Sequence, residues 1–328
     1  MASKIKQDEE VVFFRTAGWF DDVNQCWQLP FHGWIFEPEI SSSWRKYAVS
    51  KIREKAGQQV HITNEDIFRR RARMFLVDNE RWKRLAVHSR DLYTVSRRSG
   101  ANGHFYGEYY MEGAVSQAVE WRAIESDPRQ GDEQRFKGEI QVIPPEGLSV
   151  ISDIDDTIKL SCVRDRIRLL DYTLNKPFEA IPGMVELYQR FEQKGAAFHY
   201  VSSSPWQLYP ELRRFMDDHG FPRGSYHLKH LRMKDRSLTK LMASPLKTKV
   251  PQIERIIAAY PRRRFILIGD SAEKDAEVYA KVAERYEAQI EQIYIRLEDP
   301  KEDTHRFGKV FEPFRDGQWQ IFRHAAEL

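Results

Sequence analysis

Leu148-Ser149-Val150-Ile151-Ser152-Asp153-Ile154-Asp155-Asp156-Thr157 is the stretch on which the reading of the chain turns. A β-branched apolar run, too short for a helix, ends in three carboxylates within four residues. That is the pattern of a buried strand delivering acids to the edge of a sheet. Open α/β sheets place their chemistry at that edge. Crowding Asp153, Asp155 and Asp156 is costly, because like charges oppose one another's ionisation and resist leaving water. A hard divalent cation would offset the repulsion, and Mg²⁺ commonly takes one or two carboxylates together with waters and a substrate phosphate. An acidic turn capping the next helix, with Asp156 or Thr157 at the N-cap, fits the same letters.

Two further runs favour the first reading. Phe198-His199-Tyr200-Val201-Ser202 ends in a hydroxyl, and Phe265-Ile266-Leu267-Ile268-Gly269-Asp270 ends in Gly-Asp, with Asp275 five residues on. Between them Lys249 opens a helical pattern through Val250, Ile253, Ile256, Ile257 and Tyr260, stopped by Pro261. Helical spacing also follows Gly183 (Met184, Leu187, Tyr188, Phe191), Pro210 (Leu212, Phe215, Met216) and Asp275 (Val278, Tyr279, Val282, Tyr286). With a last strand at 292–295, the alternation of strand and helix predicts an α/β fold built on a doubly wound parallel sheet.

The ordered series Asp-x-Asp-x-Thr, strand-Ser, Lys, Gly-Asp resembles the four motifs of the haloacid dehalogenase superfamily. In closer detail, Ile151-Ser152-Asp153-Ile154-Asp155-Asp156-Thr157-Ile158-Lys159, His199-Tyr200-Val201-Ser202-Ser203-Ser204-Pro205-Trp206-Gln207-Leu208-Tyr209 and Gly269-Asp270-Ser271-Ala272-Glu273-Lys274-Asp275 resemble the actin-patch-associated phosphatidate phosphatase family. The resemblance implies a haloacid dehalogenase-like phosphatase domain in which Asp153 is the nucleophile and Asp155 the acid and base. Ser202 and Lys249 would bind the transferring phosphoryl group. It further implies Mg²⁺ held by Asp153, Asp270 and the backbone carbonyl of Asp155, with Asp275 ligating the metal or supporting its ligands. Thr248 stands where the family pattern leads one to expect a His, and Lys247 competes with Lys249 as the motif lysine. The implied reaction is hydrolysis of phosphatidate to diacylglycerol and phosphate. Hydrolysis of a soluble phosphomonoester, or a non-catalytic scaffold, are the alternatives.

A length of 328 residues predicts two domains, and Pro144-Pro145-Glu146-Gly147 marks a boundary between 1–146 and 147–328. In the first part, candidate strands at 11–15, 31–36, 74–77, 85–87, 104–110, 118–123 and 139–143 predict a β-sandwich. Asn102-Gly103 reads as a hairpin turn, and helices are expected at 43–55 and about 64–71. No carboxylate pair or phosphate loop occurs there, so a supporting or targeting role is expected for it.

The 52 Lys and Arg against 49 Asp and Glu are too nearly balanced to imply nucleic acid. Two cysteines, Cys26 and Cys162, make neither a disulfide framework nor a zinc site. No apolar run approaches the roughly 20 residues needed to span a bilayer. The expectation is a cytoplasmic protein that meets membrane only peripherally, with protein partners unspecified. Residues 160–181 leave no room for a large lid. The basic stretch 232–245 is either a plain surface loop or a segment that gathers an anionic headgroup, and Trp206 would either meet the lipid or pack at a helix start.

Overall fold

The computed structural model describes residues 2–38, 62–90, 92–126, 136–230, 245–299 and 301–328. The helix expected at 43–55 and, but for Pro245, the basic stretch 232–245 lie outside the described residues. The chain divides into two compact units: Met1–Ala56, Arg69–Pro145 and Gly224–Tyr226 form the first, and Gly57–Phe68, Glu146–Arg223 and His227–Leu328 the second.

In the first part of the chain the elements run β1 (Glu10–Phe14), β2 (Thr16–Asp21), β3 (Cys26–Glu37), α1 (Glu65–Met74), β4 (Asp78–Asn79), β5 (Ala86–Ser89), β6 (Leu92–Val95), β7 (His104–Met111), β8 (Glu120–Ser126) and β9 (Lys137–Val142). The strand order is β1-β3-β2-β9-β8-β5-β6, with β4 and β7 also paired to β3. β2 turns the corner between two layers. Its end, Trp19 to Asp21, pairs antiparallel with β3, while its start, Thr16 to Gly18, runs parallel to β9. Val11, Phe13, Leu29, Phe31 and Phe105 from one layer and Val87, Ile124 and Ile140 from the other then share one apolar core, the arrangement of a sandwich.

One expectation holds and is extended, and one is corrected. Asn102-Gly103 makes the expected turn, with Gly103 at φ 73° and the N–H groups of Gly100 and Arg97 bonded across it to the carbonyls of His104 and Tyr106 at 2.9 and 2.7 Å, and the strand after it pairs as well with the distant β3 from Trp34↔His104 to Trp27↔Met111. The reason is complementarity: Phe31 lies opposite Gly107, and Gly33 opposite Phe105, so each ring folds over the bare backbone of its cross-strand partner. The run 74–77 is not a strand. Phe68 and Ala72, four residues apart, are both buried, which keeps the chain helical through Met74, and the strand shrinks to Asp78–Asn79.

The second part begins with β10 (Gly147–Ser152) and continues through α2 (Arg166–Leu174), α3 (Met184–Gln193), β11 (Ala197–Pro205), α4 (Tyr209–His219), β12 (Ser225–Lys229), α5 (Pro245–Ala259), β13 (Arg263–Asp270), α6 (Asp275–Tyr286), β14 (Ile290–Arg296), α7 (His305–Phe311) and β15 (Trp319–Phe322). Strand order is β12-β11-β10-β13-β14-β15, and β10 runs parallel to both β11 and β13. The winding therefore goes outward from β10 to β12, returns to β13 on the other flank of β10, and proceeds outward again. That reversal puts a crevice at the carboxyl ends of β10, β11 and β13. At the opposite end, buried Arg263 fixes the start of β10 by bonding Ser149 Oγ at 2.8 Å and the carbonyls of Glu146 and Leu148. The aromatic tail supplies β15, parallel to β14, with Phe311 and Phe322 buried. Between β10 and α3 the chain carries only the nine-residue α2.

The glycine–aromatic pairs carry a testable consequence. A methyl group at Gly107 would overlap the Phe31 ring, so Gly107→Ala should destabilise the first unit by about 1–3 kcal/mol. Urea unfolding followed by tryptophan fluorescence measures it, and unchanged stability would show that the ring yields freely.

Candidate active site

The turn after β10 is shaped by Asp156. It sits at φ 56°, a left-handed conformation costing an L-residue about 1–2 kcal/mol. Its buried carboxylate offsets that cost by accepting the backbone N–H groups of Ser161, Cys162 and Val163 at 2.7, 2.8 and 2.6 Å, and its carbonyl accepts Arg296 Nε at 2.7 Å. The chain is thereby folded back, and Lys159 and Ser161 come to face Asp155. Asp153 stands at the end of β10, its N–H bonded to the Ile268 carbonyl of β13 at 2.9 Å, and Thr157 Oγ1 donates to its Oδ2 at 3.2 Å.

Three more elements converge on Asp153. α5 buries one face through Lys249, Val250, Ile253, Ile256 and Ile257, which points Lys249 inward while Lys247 stays exposed. Lys249 Nζ lies 2.7 Å from Asp153 Oδ1, 2.8 Å from Glu273 Oε2 and 2.6 Å from Asp275 Oδ1. Asp270, at the end of β13, accepts the N–H groups of Ala272 and Glu273 on Oδ1 at 2.6 and 3.0 Å. Asp275 opens α6, and its Oδ2 accepts the Asp270 N–H at 3.3 Å. Gly269 permits this approach: a Cβ there would stand 2.5 Å from Asp275 Oδ2 and 2.7 Å from Asp275 Cβ.

Asp153, Asp270 and Asp275 each offer a carboxylate oxygen, all within 4.8 Å of one another, and all three residues are buried. Asp270 Oδ2 is buried with no hydrogen-bond partner among the described residues. A hard cation with oxygen ligands fits this donor set, because it would satisfy the orphaned oxygen and offset the surplus negative charge. Burial pushes the Asp153 carboxyl well above the usual range; Lys249 pulls it down, and Asp275, Glu273 and Asp270 push it further up. Asp270 is raised in the same way, by burial first and then by Asp275 and Glu273.

Asp155 faces different company. Its carboxylate is not one of the three clustered acids. Oδ1 is 2.8 Å from Lys159 Nζ and accepts Ser161 Oγ at 2.7 Å, while Oδ2 accepts Ser202 Oγ and Ser204 Oγ, each at 2.8 Å. Burial would raise this carboxyl, but Lys159 together with the bonds from Lys159, Ser161 and Ser204 outweighs burial and holds it well below the usual range.

Of the residues singled out in the sequence, Asp153, Lys249, Asp270 and Asp275 meet in one cluster, and Asp155 and Ser202 pair with each other beside it. Trp206 is buried, its ring near Tyr209. Glu273, Lys159, Ser161 and Ser204 were not anticipated, although all four lie within or next to the quoted motifs. A Lys four residues after an Asp was the available signal for Lys159.

Residues 148–297 match the family model of the phosphatidate phosphatase APP1 catalytic domain. The match takes in 150 of the chain's 328 residues, so what this segment is similar to is that catalytic domain. Phosphatidate phosphatase APP1 of Saccharomyces cerevisiae is 34% identical over 158 residues, 47% of this chain and 26% of that protein. An uncharacterised protein of Schizosaccharomyces pombe is 32% identical over 165 residues, 49% of this chain and 27% of that one. The chain thus spans about a quarter of the length of these curated relatives. Among solved structures, a class C acid phosphatase from Bacillus anthracis with tungstate bound is similar at 13% identity and a TM-score of 0.27, covering 52% of this chain and 80% of that one.

The raised carboxyls set the sign of a pH effect. Between the unfolded carboxyl pKa and the raised folded values the native state binds more protons than the unfolded state, so metal-free stability falls as pH rises. A bound cation keeps these acids ionised and removes the penalty. The gain in melting temperature on adding a divalent cation should therefore be larger at about pH 8 than at about pH 5. Calorimetry with cation and with chelator measures it; a gain independent of pH would mean that the acids are already ionised without the ion.

Proposed function

We propose that the chain is a Mg²⁺-dependent phosphatidate phosphatase that works through an aspartyl phosphate on Asp153. The observation that carries the reading is the convergence of Asp153, Lys249, Asp270 and Asp275 at the carboxyl ends of β10 and β13. A phosphate monoester dianion repels nucleophiles, so its hydrolysis needs charge neutralisation and an attacker held in line. Buried cationic charge from Lys249 and an immobilised carboxylate at Asp153 meet both needs.

In the first half-reaction Asp155, ionised in the ligand-free site, takes up a proton as the dianionic ester binds beside it; an Asp153 oxygen attacks phosphorus, the ester P–O bond breaks, and the leaving alkoxide takes that proton from Asp155. In the second, Asp155 takes a proton from water as that water attacks the aspartyl phosphate, releasing phosphate and restoring Asp153. Ser202 donates to a phosphoryl oxygen, and Lys249 balances the charge redistributed over the others. Held by Asp153, Asp270 and Asp275, Mg²⁺ would neutralise part of the phosphate charge.

Phosphatidate is the substrate favoured by the catalytic-domain match and by the named relative. The nine-residue helix α2 in place of a domain-sized lid also suits a phosphate displayed on a lipid surface. The proposed encounter is peripheral and on the cytoplasmic side; no helix among the described residues is long and apolar enough to cross a membrane.

Asp153→Asn, which removes the nucleophile at almost constant volume, should lower turnover by more than about a thousandfold while leaving the melting transition in place. A folded variant with wild-type rates would assign the attack to another group. The substrate is tested with phosphatidate in mixed micelles and with 4-nitrophenyl phosphate, each with Mg²⁺ and with chelator. Hydrolysis of both that stops in chelator is expected; brisk hydrolysis of the soluble ester with none of phosphatidate would reject the lipid and keep the phosphatase.

A further inference from the structure

Lys159 is a buried lysine that the mechanism above does not use. Its backbone is clamped from both sides: its carbonyl accepts the Asp156 N–H at 2.7 Å, and its strand-like bridge to Ala180 is flanked by Leu160 N–H to the Glu179 carbonyl and Ile181 N–H to the Ile158 carbonyl. Its ammonium sits 4.7 Å from the centre of the Phe178 ring, 2.8 Å from Asp155 Oδ1, and donates to Ser161 Oγ, which donates onward to the same Oδ1 at 2.7 Å. Insulating a lysine this completely is expensive unless its charge is matched. The matching group is Asp155.

The two oxygens of Asp155 therefore differ in kind. Oδ1 faces an ammonium, which has donors and no lone pair to accept a proton. Oδ2 faces the hydroxyls of Ser202 and Ser204, and a hydroxyl can turn to accept where it had donated. A proton can be accommodated on Oδ2 without leaving an opposed donor, and on Oδ1 it cannot. Oδ2 is also the oxygen on the side of Ser202, where the phosphoryl group is proposed to bind.

We infer that Lys159, acting with Ser161, is a positioning residue that anchors Asp155 by Oδ1 and so reserves Oδ2 as the atom that gives its proton to the leaving oxygen and recovers one from the attacking water. This rests on the proposed phosphatase reading. It adds a role for a lysine outside the phosphate-binding set and assigns the proton to one atom. The proton lost from Oδ2 goes to the alkoxide as the ester P–O bond breaks. The proton gained comes from the water whose oxygen joins phosphorus, so each turnover closes without a further reactant.

Leaving-group dependence tests the inference. A short-chain phosphatidate releases an alkoxide that needs a proton, whereas 4-nitrophenyl phosphate releases a stable phenolate that does not. The quantity to compare is kcat/KM, which reports steps through departure of the leaving group and not the later hydrolysis. Asp155→Asn should lose about 10²–10⁴-fold on the short-chain phosphatidate and far less on the nitrophenyl ester. Lys159→Met should show the same ordering, with at least about tenfold more loss on the alkyl ester. Ser161→Ala keeps the cation and removes one donor; it should repeat the ordering at smaller size, and it carries the test if Lys159→Met does not fold. Damage to folding alone would lower both substrates together.

Equal losses on the two esters in the Lys159 and Ser161 variants, beside a leaving-group effect in Asp155→Asn, would overturn the role of Lys159 and leave the phosphatase reading standing. Absence of a leaving-group effect in Asp155→Asn would overturn the inference together with the acid role of Asp155, and absence of any ester hydrolysis by the wild-type chain would overturn the phosphatase reading as well.

Discussion

Lys249 Nζ lies within 2.8 Å of three carboxylates: Asp153 after β10, Glu273 in the loop after β13, and Asp275 at the start of α6. Docking α5 on the sheet is thus inseparable from assembling the acids. Separating one partner from a buried pair typically costs about 3–5 kcal/mol, a large share of the roughly 5–15 kcal/mol by which a domain is stable. The cost falls on the fold if any of these elements shifts. Burial works against the ammonium, but Asp153, Asp275 and Glu273 more than reverse it and raise its pKa well above the usual lysine range, so the cation stays charged. One ammonium facing Asp153, Asp270, Glu273 and Asp275 still leaves negative charge in excess. That excess would favour a hard cation at the cluster, and the orphaned oxygen of Asp270 is where protein donors run out.

The neighbouring turn divides two further carboxylates between opposite tasks. Asp156 gives its carboxylate to three backbone N–H groups and serves the shape of the turn. Asp155 is met by side chains, one cation and three hydroxyls, groups that can rotate or exchange protons. Backbone donors fix a carboxylate for good, while hydroxyl donors leave it able to change state. Adjacent residues with the same side chain therefore differ because the left-handed φ of Asp156 sends them in different directions.

The ends of β10, β11 and β13 were legible in the sequence because strands buried on both faces are written as unbroken apolar runs, and a polar residue closing such a run marks the sheet edge. Choosing between Lys247 and Lys249 was not possible from spacing alone: two residues rotate a helix position by about 200°, and it is the packing of Val250 and Ile253 that decides which lysine turns inward. Glu273 was hidden for a similar reason, since its carboxylate matters only once α5 brings Lys249 to it. In the first unit the strand His104–Met111 could be read, but its partner could not. Opposed Phe31 and Gly107 are 76 positions apart, and nothing local to either announces the other. β2 was missed altogether because a strand shared by two sheets, with most of its residues half-buried, lacks the clean alternation of a strand facing a single core.

The segment between β10 and α3 takes up the same logic in the chain's use of a short insertion. Its return, Glu179 to Ile181, lies antiparallel to Ile158 to Leu160 and brings Phe178 over the Lys159 ammonium. A short two-stranded contact of this kind is marginal by itself in water. Here it is held by Ile158, Phe178 and Ile181, all buried, and by the carboxylate of Asp156 gripping the residues in between. Burial of Phe178 keeps water from Lys159, and a drier Lys159 binds Asp155 more tightly, since ion pairs strengthen as the local dielectric falls. Apolar packing some distance along the chain is in this way converted into the orientation of one carboxylate, by contacts already formed before any ligand arrives.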